Sequence, residues 1–217
     1  MTLKIGIPAQ NHDDKFGVNI NYLEFIYQFG HPIIINPIEK EDFLSVYKID
    51  ALVLPGGADV DSKRYARMPS LANYAPNIHL EHFDKEILPL LVGNMPIFGI
   101  CRGLQTLNVY FKGTLRNLIW HPYSSSEMDK VHNIFYYKNG IRPLFDKKKS
   151  EHDGVNSFHH QAIDKLADNF QIEAESEYGN IVEAISDYKK GIFAVQWHPE
   201  RLLDNYSRNM FLSILRG

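Results

Sequence analysis

Residues Pro96-Ile-Phe-Gly-Ile-Cys-Arg-Gly103 place the chain's only cysteine between an apolar strand and the start of a helix. Gly99 and Gly103 flank Cys101 two residues away on each side, the spacing of a G-x-S-x-G nucleophile elbow with cysteine in the serine's place. A sharp strand-to-helix turn needs small neighbours, because the central backbone is strained and the side chain must stand clear. The turn also sets the sulfur near a helix N-terminus, where the dipole and free N–H groups favour a thiolate. Taken alone, the run equally fits a buried core cysteine, the usual fate of a lone thiol.

Two further segments bear on that choice. Phe193-Ala-Val-Gln-Trp-His-Pro-Glu200 is an apolar run ending in His198 and Glu200. A cysteine nucleophile needs a base, and the base needs an acceptor to orient it. If the strand continues, residues two apart share a side, so His198 and Glu200 approach each other, with Pro199 stiffening the backbone between them. The tripeptide alone also fits a strand-end histidine beside a solvated glutamate. Leu52-Val-Leu-Pro-Gly-Gly-Ala-Asp59 is a buried strand ending in Gly56-Gly57. Paired glycines allow a loop whose N–H groups aim at an oxyanion, or simply an ordinary strand-ending turn.

Strand-like runs occur at Lys4–Pro8, Pro32–Asn36, Ala51–Pro55, Pro96–Ile100, Ile172–Ala174, Ile181–Ile185 and Ile192–Gln196. Helical spacing marks Tyr22–Gly30, Glu81–Leu91, Gly103–Phe111 and Leu203–Leu215. The early strand–helix alternation implies a parallel sheet covered on both faces, with its site at the carboxyl ends of the strands, where Gly56, Cys101 and His198 fall. Trp120–Gly154 is polar and poorly periodic apart from Ile134–Tyr137. It reads as surface excursions with an antiparallel hairpin around Asn139-Gly140. No repeat or linker divides the chain, so residues 1–217 read as one domain.

At 217 residues and 44% hydrophobic content, the chain can bury one sizeable core. A net charge of −3 with no basic stripe argues against nucleic acid, and Lys147-Lys148-Lys149 reads as a solvated loop. One cysteine fits a reducing cytoplasm, no apolar run approaches a membrane span, and the N-terminal Met-Thr-Leu-Lys-Ile-Gly-Ile-Pro reads as a strand rather than a signal peptide. His79, Glu81 and His82 lie together on a helix, but without further ligands at known spacing they make no metal site. Phe135-Tyr136-Tyr137 reads as strand packing.

In this order, Leu-Pro-Gly-Gly-Ala-Asp (54–59), Gly-Ile-Cys-Arg-Gly-Leu-Gln (99–105), Val-Asn-Ser-Phe-His-His-Gln (155–161) and Gln-Trp-His-Pro-Glu (196–200) resemble class I glutamine amidotransferase domains. More narrowly they resemble the gamma-glutamyl hydrolase branch, which includes gamma-glutamyl-gamma-aminobutyrate hydrolases. The resemblance implies an α/β, flavodoxin-like three-layer sandwich with a mostly parallel central sheet and helices on both faces. It implies a catalytic triad of Cys101, His198 and Glu200, and an oxyanion hole from the backbone N–H groups of Gly57 and Arg102. Gly56, Gln105, Ser157, Phe158 and His159 would border the glutamyl half of the substrate, and the Arg102 side chain would act structurally. No cofactor or metal is needed.

The implied activity is hydrolysis of a small gamma-glutamyl amine through a gamma-glutamyl thioester. The alternative is a glutaminase subunit passing ammonia to a separate synthase partner, and a third class is a non-enzymatic protein on this fold, against which the intact Cys, His and Glu stand. Two departures from the hydrolase branch touch the leaving-group side. Asp61-Ser62-Lys63 stands where a proline is common, and Glu81-His82 where an Arg-Asp pair is common. Asp59, Asp61, Glu81 and the nearby histidines would suit a cationic amine, or make no more than a solvated acidic rim.

Overall fold

Three runs in which every residue is buried, Ala51-Leu-Val-Leu54, Ile97-Phe-Gly-Ile100 and Ile192-Phe-Ala-Val195, form the centre of the molecule. The computed structural model describes residues 2–12, 15–36, 43–65, 73–118, 131–137, 154–176, 181–202 and 205–216. The first half comprises β1 (Lys4–Pro8), a small hairpin of β2 (Gln10–His12) and β3 (Lys15–Gly17), α1 (Ile20–Tyr27), β4 (His31–Ile35), α2 (Phe43–Val46) and β5 (Ala51–Leu54). A 3-10 turn (Ser62–Tyr65) leads towards α3 (Ile78–His82), which runs through a π-helical turn (Phe83–Ile87) into α4 (Leu88–Leu91). Then come β6 (Ile97–Ile100), α5 (Arg102–Tyr110), β7 (Thr114–Asn117), β8 (Val131–Tyr136), β9 (Gly154–Asn156) and β10 (Gln161–Lys165). The chain closes with β11 (Gln171–Ser176), β12 (Val182–Asp187), β13 (Ile192–Val195), α6 (Pro199–Leu202) and α7 (Asn205–Leu215).

Among the described residues one sheet runs in the order β4-β1-β5-β6-β13-β12-β11-β8-β9. The first five strands pair in parallel, and the remaining four join antiparallel. This is the α/β class expected, a mixed sheet with a parallel core. Alternate residues of each central strand feed opposite cores. Ile192 and Ala194 join Ile87, Leu88, Leu91, Leu104 and Leu107 on one face; Phe193 and Val195 join Phe25, Ile26, Phe211 and Ile214 on the other. On that second face Phe211 meets Phe98 at 4.8 Å and Phe29 at 4.7 Å between ring centres. Each buried aromatic contributes about 1.5–3 kcal/mol by leaving water, and each such ring pair about 0.5–1.5 kcal/mol more. Truncating Phe211 to alanine should therefore loosen α7.

Helix α3 starts one turn earlier than the periodicity indicates, because the Asn77 side chain accepts from the His79 and Leu80 N–H groups. Pro89 carries no N–H to continue an α-helical ladder, and the backbone widens into the π-helical turn just before it.

The expectation of surface excursions from Trp120 to Gly154 is corrected by β8. It lies between β11 and β9 in the main sheet with His132 and Ile134 buried. Its mixed sequence, Val-His-Asn-Ile-Phe-Tyr, hides it because the buried polar His132 breaks the apolar alternation. The Asn139-Gly140 turn and Lys147–Lys149 lie outside the described residues, while β8 and β9 do pair antiparallel. Tyr136 packs on Tyr206 at 4.0 Å, as the packing reading of the aromatic run has it. The hairpin β2–β3 and the side pair β7–β10 have no counterpart in the sequence reading. No described helix is long and apolar enough to cross a membrane.

Candidate active site

Cys101 stands between β6 and α5 with φ 51° and ψ −101°, a strained backbone for a side chain other than glycine. Close packing holds it there. A Cβ on Gly99 would lie 2.9 Å from both the Ala194 Cβ and the Leu107 Cδ1, and one on Gly103 would run into the Leu54 carbonyl oxygen. The two glycines thus let α5 press against β5 and β6, and the Cys101 N–H donates to the Val195 carbonyl at 2.8 Å.

His198 lies beyond the end of β13. The Asn156 side chain clamps its main chain, accepting from the His198 N–H at 2.8 Å and donating to the His198 carbonyl at 3.0 Å. The ring Nδ1 donates to Glu200 Oε1 at 2.7 Å, which leaves Nε2 as the ring nitrogen that can serve Cys101. Continuation of the strand is not how the pair meets. Pro199 opens α6, where a missing N–H costs nothing, and the helical turn carries Glu200 back against the imidazole. Burial disfavours the imidazolium, but the charge and hydrogen bond of Cys101, followed by those of Glu200, outweigh it and push the His198 pKa up to about 10. Phe158 meets the ring edge-on at 5.4 Å and is itself covered by the Arg201 guanidinium at 4.6 Å.

The loop after β5 passes directly against this pair. A Cβ on Gly56 would lie 2.8 Å from His198 Cε1 and 2.7 Å from the Tyr22 hydroxyl oxygen. The Gly56 N–H donates to that hydroxyl at 2.9 Å, and its carbonyl accepts from Gln10 Nε2 at 3.0 Å. Burial, then the negative charges of Glu200 and Cys101, raise the Tyr22 phenol well above its usual range, so it stays protonated. Gly57 is exposed next to the elbow. The Arg102 N–H belongs to the first turn of α5 and has no partner within that helix.

Gln105 donates to the Gln161 carbonyl at 3.0 Å and to Gln196 Oε1 at 3.3 Å, and Gln196 Nε2 in turn lies 3.6 Å from Cys101 Sγ. Ser157 is buried, with a hydroxyl that meets no hydrogen-bond partner among the described residues. His159 donates through Nδ1 to the Gln161 carbonyl at 2.9 Å; burial lowers its pKa, so it is held neutral. The structure therefore brings Cys101, His198, Glu200, Gly56 and Phe158 together, with Gln105 tied to them through Gln196. The sequence reading passed over Tyr22, Gln10, Asn156 and Gln196. Asn156 and Gln196 stood inside quoted motifs, and Gln10 comes two residues after a strand at the carboxyl end of the sheet, whereas Tyr22 carried only a helical apolar signal.

Of the acidic rim expected to suit a cationic amine, two members are engaged, while Asp61 stays partly exposed with Lys85 Nζ 3.9 Å away. Asp59 Oδ2 accepts from the Tyr74 N–H at 2.9 Å and lies 3.0 Å from His160 Nε2. Glu81 is buried against Arg102 at 2.8 Å. His79 packs edge-on against Phe16, with 5.0 Å between ring centres.

Comparison with known proteins bears on the family. A family model described as peptidase C26 matches residues 5–200. The glutamine amidotransferase-like protein YvdE of Lactococcus lactis is 34% identical over 191 residues, covering 83% of this chain and 79% of that one. The gamma-glutamyl-CDP-amidate hydrolase of Campylobacter jejuni is 29% identical, covering 76% and 70%. The crystal structure of a Thermoplasma acidophilum protein, assigned to GMP synthase, shares the fold with a TM-score of 0.66 at 22% identity, over 100% of this chain and 94% of that one. With the fold, the elbow and a family model matching residues 5–200 of the chain in agreement, this chain belongs to the peptidase C26 family, the gamma-glutamyl hydrolase branch of the class I glutamine amidotransferase-like proteins.

Proposed function

We propose that residues 1–217 act as one domain, a cysteine-dependent hydrolase that cleaves the gamma-glutamyl amide bond of a small gamma-glutamyl amine. The observation that carries this reading is the line from Cys101 on its strained elbow through the His198 ring to Glu200, buried and held by Asn156. Cys101 gives its proton to His198 Nε2, its Sγ attacks the gamma-carbonyl carbon, and the oxyanion forms against the N–H groups of Gly57 and Arg102. The carbon–nitrogen bond breaks as His198 Nε2 protonates the departing amine. The same nitrogen then takes a proton from water, which attacks the thioester, and glutamate leaves as Cys101 is restored. Glu200 keeps the proton on Nδ1 and stabilises the imidazolium while each tetrahedral adduct stands. Gln105, Ser157, Phe158 and His159 border the glutamyl half. Thiolate and imidazole supply all the acid–base and covalent chemistry of these steps. The single cysteine suits a cytoplasmic setting.

Since Asp59 is engaged by His160 and Glu81 by Arg102, a cationic leaving amine finds no unpaired carboxylate in either. The Campylobacter relative's name points instead to a phosphorylated leaving group, and that class belongs in the trial. The test is glutamate release from glutamine and from neutral, cationic and phosphorylated gamma-glutamyl amines, with Cys101→Ala as blank. Brisk Cys101-dependent turnover of one amine supports the hydrolase. The second reading, a glutaminase serving a separate synthase, is favoured by the likeness to the Thermoplasma protein assigned to GMP synthase. Silence on the amines, with feeble cleavage of glutamine, would select it.

A further inference from the structure

Beside the reacting groups lies a buried ionic cluster that the chemistry leaves unused. Arg102 follows the nucleophile, yet it is only 3% exposed and its guanidinium turns into two carboxylates of the neighbouring helix. Its Nη2 lies 2.8 Å from Glu81 Oε1 and 3.0 Å from Asp84 Oδ2. Its Nη1 donates to Thr106 Oγ1 at 3.0 Å, and that hydroxyl donates to Asp84 Oδ2 at 3.0 Å.

The same two carboxylates hold the segment that follows Gly57. The Asp61 N–H donates to Glu81 Oε1 at 3.1 Å, and Arg64 Nη1 reaches Asp84 Oδ2 at 2.8 Å and Glu81 Oε2 at 3.4 Å. Lys85 Nζ closes the cluster 3.4 Å from Glu81 Oε2. At its centre the Arg102 stem packs under the loop, with Cδ 3.3 Å from where a Cβ of Gly57 would stand.

Burying charge is a poor route to stability, because desolvation of each ion offsets much of the attraction, and apolar side chains of equal volume often do as well. What ions add is direction: a guanidinium fork between carboxylates fixes an orientation that apolar contacts leave loose. Here one pair of carboxylates orients two loops at once.

We infer that Glu81 and Asp84 are the common anchor of both halves of the oxyanion hole. Through the Arg102 side chain they set the peptide whose N–H is one donor. Through Arg64 and the Asp61 N–H they set the loop that presents the Gly57 N–H as the other. The inference rests on the function proposed above, in which those two amides receive the oxyanion. All four side chains are positioning residues, since their contacts run to one another and not to the reacting atoms.

The experiment starts from wild-type protein and Cys101→Ala with gamma-glutamyl amides and glutamine. Absence of Cys101-dependent turnover overturns the proposed function, and this inference with it. Given turnover, Asp84→Asn, Glu81→Gln and Arg64→Gln are measured alongside, each nearly isosteric or trimmed but uncharged. A displaced oxyanion donor should lower kcat about 10- to 100-fold with KM within about 3-fold. Affinity for a gamma-glutamyl aldehyde, whose thiohemiacetal oxygen occupies the hole, should fall in parallel. Alkylation of Cys101 by iodoacetamide needs the thiolate but no oxyanion hole, so its rate should hold within about 3-fold. Asp84→Asn combined with Arg64→Gln should cost little more than either alone, as members of one unit do. Folded variants with unchanged kcat and aldehyde affinity overturn the inference. So does an equal loss of alkylation rate, which marks general loosening of the elbow. If the deeply buried Asp84→Asn fails to fold, Arg64→Gln decides by the same criteria, because its side chain lies at the edge of the cluster, 12% exposed.

Discussion

Replacing Gly103 with alanine tests the elbow where it is tightest. The added methyl would meet the Leu54 carbonyl oxygen and would stand 2.9 Å from the Leu54 Cβ and 3.0 Å from its carbonyl carbon. Ordinary contact begins near 3.4 Å, so α5 must retreat from β5 by about half an ångström or more. The obstacle is mainly backbone of a fully buried strand, which cannot swing aside as a flexible side chain would. Overpacking of this kind costs about 1–3 kcal/mol, and alanine's helix preference returns up to about 1 kcal/mol. A net loss of about 1–2 kcal/mol follows, or a fall in Tm of about 2–8 °C for a chain of this size. Cys101 is two residues away and moves with the helix, so kcat should fall about tenfold, in proportion to the loss of about 100-fold that accompanies a misplacement of about 1 Å. Thermal unfolding and gamma-glutamyl amide turnover read the two effects, with Gly17→Ala as control because nothing lies within 4 Å of its added Cβ. Wild-type Tm and turnover in Gly103→Ala would refute the account of the elbow. Lost stability with intact kcat would show that the α5–β5 contact does not govern where Cys101 sits.

Asn156→Ala removes both hydrogen bonds that clamp the His198 main chain; we expect a loss of about 1–3 kcal/mol in denaturant unfolding together with a lower kcat. Ser207→Ala strips the acceptor from the buried Trp197 indole N–H at 3.0 Å and should cost about 1–3 kcal/mol while leaving kcat within about twofold, separating packing from catalysis. Cys101→Ala removes the chief groups that raise His198, so the imidazole pKa followed by NMR should drop from about 10 towards its ordinary value. A pKa that stayed near 10 would assign the shift to Glu200 instead. The raised folded-state pKa means that His198 contributes charge-linked stability that is full below about pH 6.5 and fades as pH rises through about 10. The unfolding free-energy gap between wild type and His198→Gln should therefore shrink across that window, and a gap that widened with pH would contradict the imidazolium assignment.

Much of the fold was legible because it rests on neighbours two to four residues apart. The buried runs at 51–54, 97–100 and 192–195 could be read as parallel strands since both their faces are apolar, and alternation with helices then sets the three layers. Strand β8 escaped because it carries the buried His132, whose partner Glu183 lies 51 residues further on. The meeting of His198 and Glu200 could be expected from their spacing, but its geometry was inferred wrongly: Pro199 starts a helix instead of stiffening a strand.

The sequence by itself determined the elbow, the parallel core and the family, because glycine spacing, apolar periodicity and short motifs are local properties of the chain. Only the tertiary structure decided which polar groups meet. Asp59 finds His160 across 101 residues, Tyr22 reaches Gly56 across 34, and Glu81 joins Arg102 to the Gly57 loop. A carboxylate looks the same in sequence whether it is solvated or committed. Sheet order and helix packing bring a partner within about 3 Å or leave the group to water, and that placement committed Asp59 and Glu81 while leaving Asp61 partly exposed.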